Sequence, residues 1–169
     1  MTAPRSRLAR RGGASNAASF ALVAIASFGA VIAALVSQHA FGMQPCPWCV
    51  LQRLIFAAIG AFALLGLVWR GAAGSRVAAT FALLLAIAGV ATAFWHHFVA
   101  AKSASCNLTL ADRIVGATQL DRLLPDVFEA RASCADAAVD LVGIPYAMWA
   151  AFVFVVCTVA LLRILRASA

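Results

Sequence analysis

The sequence has few charged residues for its length. Only 11% of its 169 residues are charged, against roughly 25% in an ordinary soluble domain, and 64% are hydrophobic. This balance excludes a soluble domain and indicates an integral membrane protein. Internal repeats, low-complexity tracts and long polar linkers are also missing from the sequence, so we expect one membrane domain over residues 1–169.

Four stretches are apolar over the roughly 20 residues that a membrane-spanning helix needs. Each is predicted to be a helix, because backbone polar groups in lipid must be satisfied within their own segment. The first stretch is too long for a secretory signal, and no small-x-small cleavage site follows it. The predicted fold is therefore an all-α, four-transmembrane-helix bundle, with spans at about 17–37, 48–69, 77–98 and 141–162 and loops at 38–47 and 99–140.

Acidic residues are scarce and confined to one segment. All six lie between residues 101 and 140, whereas arginines gather at the opposite ends of the spans. By the positive-inside rule the arginine-rich ends are cytoplasmic, so both termini are predicted to be cytoplasmic and the two loops non-cytoplasmic. The basic residues form no patch with interleaved aromatics, so the net charge of +7 does not indicate nucleic-acid binding. The orienting arginines are Arg5, Arg7, Arg10, Arg11, Arg70, Arg76, Arg163 and Arg166.

The long loop contains an amphipathic stripe. Its apolar residues recur at helical spacing and its acidic residues face the other way. Pro125 interrupts the stripe and is predicted to divide it into two short turns. A helix packed on the protein and a helix lying in the lipid interface both fit, and the short loop favours the interface. The apolar positions are Leu120, Leu123, Leu124, Val127 and Phe128.

A pair of cysteines opens the second span, in the motif Cys46-Pro47-Trp48-Cys49. Pro47 suits the first helical position, with Cys46 as the cap, so Cys49 falls in the first turn, where the helix dipole favours a thiolate. Arg53 follows four residues later, on the same face and about 6 Å along the axis. A charge at the membrane boundary is a functional candidate, although Arg53 could instead extend to the lipid headgroups.

Two further cysteines, Cys106 and Cys134, lie in the long loop. A four-cysteine zinc site usually uses two close doublets, whereas 27 residues separate this second pair. A redox relay fits better, because two disulfides that exchange partners need one close pair and one mobile pair. A thiophilic metal transporter would need a second pair inside the membrane, where Cys157 is alone and is predicted to be a buried apolar residue. Two purely structural disulfides also remain possible.

These features resemble the disulfide bond formation protein B (DsbB) family. Its members are bacterial inner-membrane enzymes that use quinone to reoxidise the periplasmic thiol oxidase DsbA. The resemblance covers nearly the whole chain, including the four spans. It rests on Pro45, Cys46, Cys49, Gln52 and Arg53 at the start of the second span, on Cys106 and Cys134, and on Ala135, Asp140, Gly143 and Trp149 after them.

The resemblance implies a catalytic role for both cysteine pairs. A thiolate of a DsbA-like partner would attack Cys106 of a Cys106–Cys134 disulfide, and the released Cys134 could attack Cys46. Cys49 would then be freed as a thiolate and donate electrons to the quinone. The resemblance thus implies ubiquinone or menaquinone as electron acceptor, no metal, and cysteines on the periplasmic side of the inner membrane.

The resemblance also implies quinone-binding residues. Arg53 would stabilise the Cys49 thiolate and the charge that develops on the quinone. A histidine at the end of the third span would lie near the quinone, and we assign this role to His97, with His96 as the alternative. Vitamin K epoxide reductase-like quinone oxidoreductases are a rival, but in those proteins the cysteine motif belongs to a late helix.

Overall fold

A computed structural model describes residues 4–69, 71–102 and 109–167, with the side chains from residue 16 onward. Four long helices dominate it, and each is long and apolar enough to cross a membrane. The chain is therefore a multi-pass membrane protein, and the predicted all-α bundle of four membrane helices is confirmed. In chain order these helices are α1 (Pro4–Phe41), α2 (Pro47–Val68), α3 (Ala72–Phe98) and α7 (Tyr146–Ala167).

The four helices form a closed ring in which α2 lies between α1 and α3, and α7 packs against both α3 and α1. Glycines allow close approach between helices, as small residues do in membrane bundles. A Cβ at Gly66 would collide with the ring of Phe20, and one at Gly89 would collide with Phe154. Phe154 also stacks on Phe56, with ring centroids 3.8 Å apart. Aromatic rings in the bundle core thus pack directly against glycines of neighbouring helices.

The segment between α3 and α7 contains three short helices: α4 (Leu110–Thr118), α5 (Leu120–Leu123) and α6 (Pro125–Phe128). Pro125 starts α6 and divides the amphipathic stripe, as predicted. Helix α4 was not predicted, although the Thr109 and Asp112 side chains form a capping box at its start. Helices α4 and α6 pack on α2. Leu123 is 71% exposed and Phe128 is buried, so placement of Leu123 in the lipid interface stays a prediction.

The last membrane helix begins at Tyr146 rather than near residue 141. A small antiparallel hairpin precedes it, formed by β1 (Asp140–Leu141) and β2 (Ile144–Pro145). The two turn residues, Val142 and Gly143, have φ values of 56° and 75°. Positive φ at both positions suits a two-residue hairpin turn and cannot belong to a right-handed helix. The apolar window predicted as the fourth span therefore begins with a backbone turn, and the helix starts only after this turn.

Candidate functional site

Three of the four predicted catalytic cysteines meet at the start of α2. The Sγ atoms of Cys46 and Cys49 are 2.9 Å apart, and the thiol of Cys46 also hydrogen-bonds to Cys134. Cys46 caps the helix, since its Sγ accepts a hydrogen bond from the Cys49 backbone N–H at 3.3 Å. Cys106 lies outside the described residues. The sequence motif thus brings the close pair together, and the fold adds Cys134 to it.

Backbone hydrogen bonds bring Cys134 to this position. The N–H groups of Arg131 and Ala132 donate to the Pro45 carbonyl at 2.9 and 3.2 Å. Pro45 immediately precedes Cys46, so these two bonds fix the α3–α7 segment beside the helix start. The backbone N–H of Trp48 also bonds to the Cys134 sulfur. Main-chain hydrogen bonds therefore hold the two cysteine-bearing regions together, in addition to the packing of α4 and α6 on α2.

The pKa values of the two touching thiols move in opposite directions. The hydrogen bond to Cys134 raises the pKa of Cys46, and its contact with Cys49 and its burial add to the increase. The hydrogen bond from Cys46 lowers the pKa of Cys134, and the Trp48 backbone N–H lowers it further. A donated hydrogen bond stabilises a thiolate, whereas burial away from water disfavours it. Cys134 is thus the thiol of this pair that deprotonates more readily, and it lies against Cys46.

Arg53 turns into the bundle and does not extend to the membrane surface, since only 5% of it is exposed. Its Nη1 donates to Gln38 Oε1 at 2.7 Å and to the Val127 carbonyl at 3.0 Å. Its Nη2 donates to the Ala34 carbonyl at 3.3 Å. Its buried Nε has no hydrogen-bond partner among the described residues. The two terminal nitrogens of the guanidinium group are therefore held in place, and its Nε–H remains available to donate to a ligand.

Of the two adjacent histidines, His96 faces the cysteines. It is 4% exposed, its Nε2 lies 3.4 Å from Cys46 Sγ, and its Nδ1 lies 3.5 Å from Gln52 Nε2. His97 is partly exposed and packs edge-on against Phe98, with centroids 4.7 Å apart. The role assigned to His97 stays a prediction, but the geometry favours the alternative, His96.

Ligand atoms of Cys46, Cys49 and His96 all lie within 4.8 Å of one another, which is close enough for a soft metal ion. Thiol–disulfide exchange requires the same proximity of sulfur atoms. The cluster therefore does not by itself indicate a metal.

Two cavities adjoin the cysteine cluster. The first has a volume of about 300 Å³ and is lined by Cys49, Gln52, Arg53 and His96, with mainly apolar residues around them. Its size is at the lower end of ligand pockets, which hold roughly 300–1,000 Å³. The second has about 450 Å³, and Cys134 is part of its wall, together with Trp48, Trp95, Val99, Ala100, Thr109 and Leu110. Cys46 touches both Cys49 and Cys134 and lines neither cavity.

Two buried residues outside the motif complete the description. Cys157 is fully buried in α7, with its Sγ 3.7 Å from Ser27 Oγ, and packs within the bundle. Gln38, near the end of α1, contacts Arg53 and was not predicted. A polar residue inside a membrane helix is a recognisable signal of function, but the first span was predicted to end at residue 37, so Gln38 fell outside it; the helix runs on to Phe41.

Known proteins match most of this chain. A family model described as "Disulfide bond formation protein DsbB" matches residues 16–164. A Ralstonia nicotianae protein named disulfide bond formation protein B is 33% identical over 144 residues, covering 80% of this chain and 85% of the relative. Proteins of the same name from Cupriavidus necator and Herminiimonas arsenicoxydans are 35% and 33% identical, covering 80% and 83% of this chain and 84% and 89% of their own lengths.

Proposed function

The chain belongs to the disulfide bond formation protein B (DsbB) family, and we propose that it reoxidises a DsbA-like periplasmic thiol oxidase by passing electrons to membrane quinone. Family membership makes it a membrane disulfide oxidoreductase. The partner and the electron acceptor are the parts we propose.

One observation carries the proposal: the cysteines lie in relay order. Cys134 opens onto one cavity, Cys49 opens onto the other, and Cys46 contacts both of them. A structural disulfide needs no access at either end. An exchange relay needs an entrance for the partner's electrons and an exit to the acceptor, and this arrangement supplies both.

The chemistry follows by thiol–disulfide exchange. A thiolate of the reduced partner attacks Cys106 of a Cys106–Cys134 disulfide, forming a mixed disulfide and releasing Cys134. Cys134 then attacks Cys46 of a Cys46–Cys49 disulfide, and Cys49 leaves as a thiolate. The lowered pKa of Cys134 and its contact with Cys46 support this second step. The partner's second thiol then attacks the mixed disulfide, which closes the partner's disulfide and frees Cys106, and Cys106 attacks Cys134 to restore the Cys106–Cys134 disulfide and release Cys46. In each cycle the partner's two thiols thus become a disulfide, and their two electrons and two protons pass from Cys46 and Cys49 to the acceptor.

The first cavity fits a quinone head group. Its mainly apolar walls suit a ring, and the buried Nε–H of Arg53 finds no acceptor among the described residues, which a quinone oxygen would provide. When bound there, quinone supplies a two-electron, two-proton acceptor. Arg53 would hold its oxygen and stabilise the neighbouring Cys49 thiolate. We assign the histidine at this cavity as His96, because His96 lines it and His97 does not.

We place the protein in the bacterial inner membrane as one multi-pass domain, with both termini in the cytoplasm and the redox cysteines on the periplasmic side. The support is the distribution of charge, since the acidic residues all lie in the long loop. After reduction, a membrane-impermeant thiol reagent added to the periplasmic side should label Cys106 or Cys134. If only permeant reagents label them, the orientation is reversed.

Purified protein with reduced DsbA and ubiquinone tests the function directly. We expect quinone absorbance to fall and one partner disulfide to appear for each quinone consumed. A Cys49→Ala variant is the control and should consume no quinone. Menaquinone is tested in parallel, and failure of both quinones to accept electrons in the presence of reduced DsbA would contradict the proposal.

A further inference from the structure

A buried glutamine links Arg53 to the α3–α7 segment. We infer that Gln38 is a positioning residue, which holds the Arg53 guanidinium in the orientation used at the first cavity. This inference rests on the proposed quinone chemistry, because it assigns a role within that site. Gln38 does not line the cavity itself, so it acts through Arg53.

The hydrogen bonds of Gln38 define its role. The side chain is 4% exposed, its Oε1 accepts from Arg53 Nη1 at 2.7 Å, and its Nε2 donates to the Asp126 carbonyl at 3.3 Å. The two partners fix the amide orientation, since the guanidinium only donates and the carbonyl only accepts. A glutamine satisfies both with one side chain. The bond to Arg53 is also the shortest of the three that its guanidinium makes.

Among the described residues, Gln38 is the one anchor of Arg53 that a substitution can remove. The other two acceptors, at Ala34 and Val127, are backbone carbonyls that every residue carries. Arginine has a long side chain with considerable rotamer freedom, so its orientation depends on such anchors. With Nη1 and Nη2 held by α1 and α6, Nε is the guanidinium donor without a partner among the described residues, on a side chain that lines the cavity.

The test is a double-mutant cycle on a single turnover. The protein is reduced chemically, freed of reductant and mixed with ubiquinone, so that the partner protein and its docking play no part. Gln38→Met keeps the side-chain volume but removes both hydrogen bonds, and we expect quinone reduction to slow about tenfold, the loss typical of a hydrogen bond to a charged group. In an Arg53→Ala background the same substitution should cause no further loss, because coupled residues are non-additive.

Two further variants distinguish the loss of Arg53 positioning from a general disturbance of the fold. Gln38→Glu restores an acceptor for Arg53 and should recover part of the rate. His39→Ala, at the adjacent exposed position, should match the wild type. An unchanged rate in Gln38→Met, or an equal further loss in the Arg53→Ala background, would overturn the inference. A wild-type protein that oxidises DsbA but reduces no quinone would overturn the proposed function instead.

Discussion

Replacing Arg53 with alanine should slow quinone reduction strongly while leaving attack of the partner on Cys106 intact. Within the part of the chain that the structure describes, the guanidinium makes three hydrogen bonds that hold it and has one buried donor, Nε, without a partner. If that donor binds the quinone oxygen, its loss removes a charged hydrogen bond worth about 1.5–3 kcal/mol, or roughly 10- to 150-fold in rate. Lysine should restore only part of the rate, because one ammonium cannot reproduce the planar fork that reaches all three acceptors.

The assay follows quinone absorbance at saturating reduced DsbA, alongside gel detection of the mixed disulfide. Arg113→Ala is the matched control, since Arg113 is exposed on α4 and should show wild-type rates. Equal quinone kinetics in the wild type and Arg53→Ala would make Arg53 an interior anchor and refute its catalytic assignment. An equal decrease in both steps would indicate a disturbed bundle.

Three further predictions concern the cysteines. Cys134→Ala should form a mixed disulfide with the oxidised partner, because the free Cys106 thiol can open the partner's disulfide and Cys134 is missing to displace the partner from Cys106; a non-reducing gel without this adduct would count against the relay. Cys157→Ala should keep turnover within about twofold, because Cys157 is buried against Ser27 within the bundle and lines neither of the two cavities, and an inactive but folded variant would contradict this. In the reduced protein, iodoacetamide should modify Cys134 at pH values below the usual thiol value of about 8.5, since its pKa is lowered, whereas Cys46 should react only at higher pH. Identical pH profiles by mass spectrometry would exclude these opposite shifts.

Hydropathy located the membrane helices but not all their ends. The second span, predicted at about 48–69, is Pro47–Val68, because Cys46 and Pro47 form a local start signal. The fourth begins later than predicted, at Tyr146, since hydropathy does not register the backbone turn at Val142 and Gly143. Helix α4 was not predicted despite its capping box, because a short, half-polar helix does not produce a long apolar window in the sequence.

The candidate site was predictable where it is local in sequence. Cys46, Cys49 and Arg53 share one helix face, so their spacing placed them together. The contact of Cys134 with Cys46 depends on main-chain bonds to Pro45, which no side-chain pattern encodes. The choice between His96 and the adjacent histidine depends on the rotation of α3, which a two-residue doublet cannot specify.

The attachment of residues 126–132 to the bundle has a consequence for engineering. Its hydrogen bonds use the carbonyls of Asp126 and Val127 and the N–H groups of Arg131 and Ala132. The exposed side chains of Glu129 and Arg131 form a surface ion pair and take no part in these hydrogen bonds, whereas the side chain of Phe128 is buried in the core. The exposed positions Asp126, Glu129 and Arg131 can therefore be changed in charge, to alter which partner approaches Cys134, while the main-chain hydrogen bonds and the buried Phe128 side chain are kept.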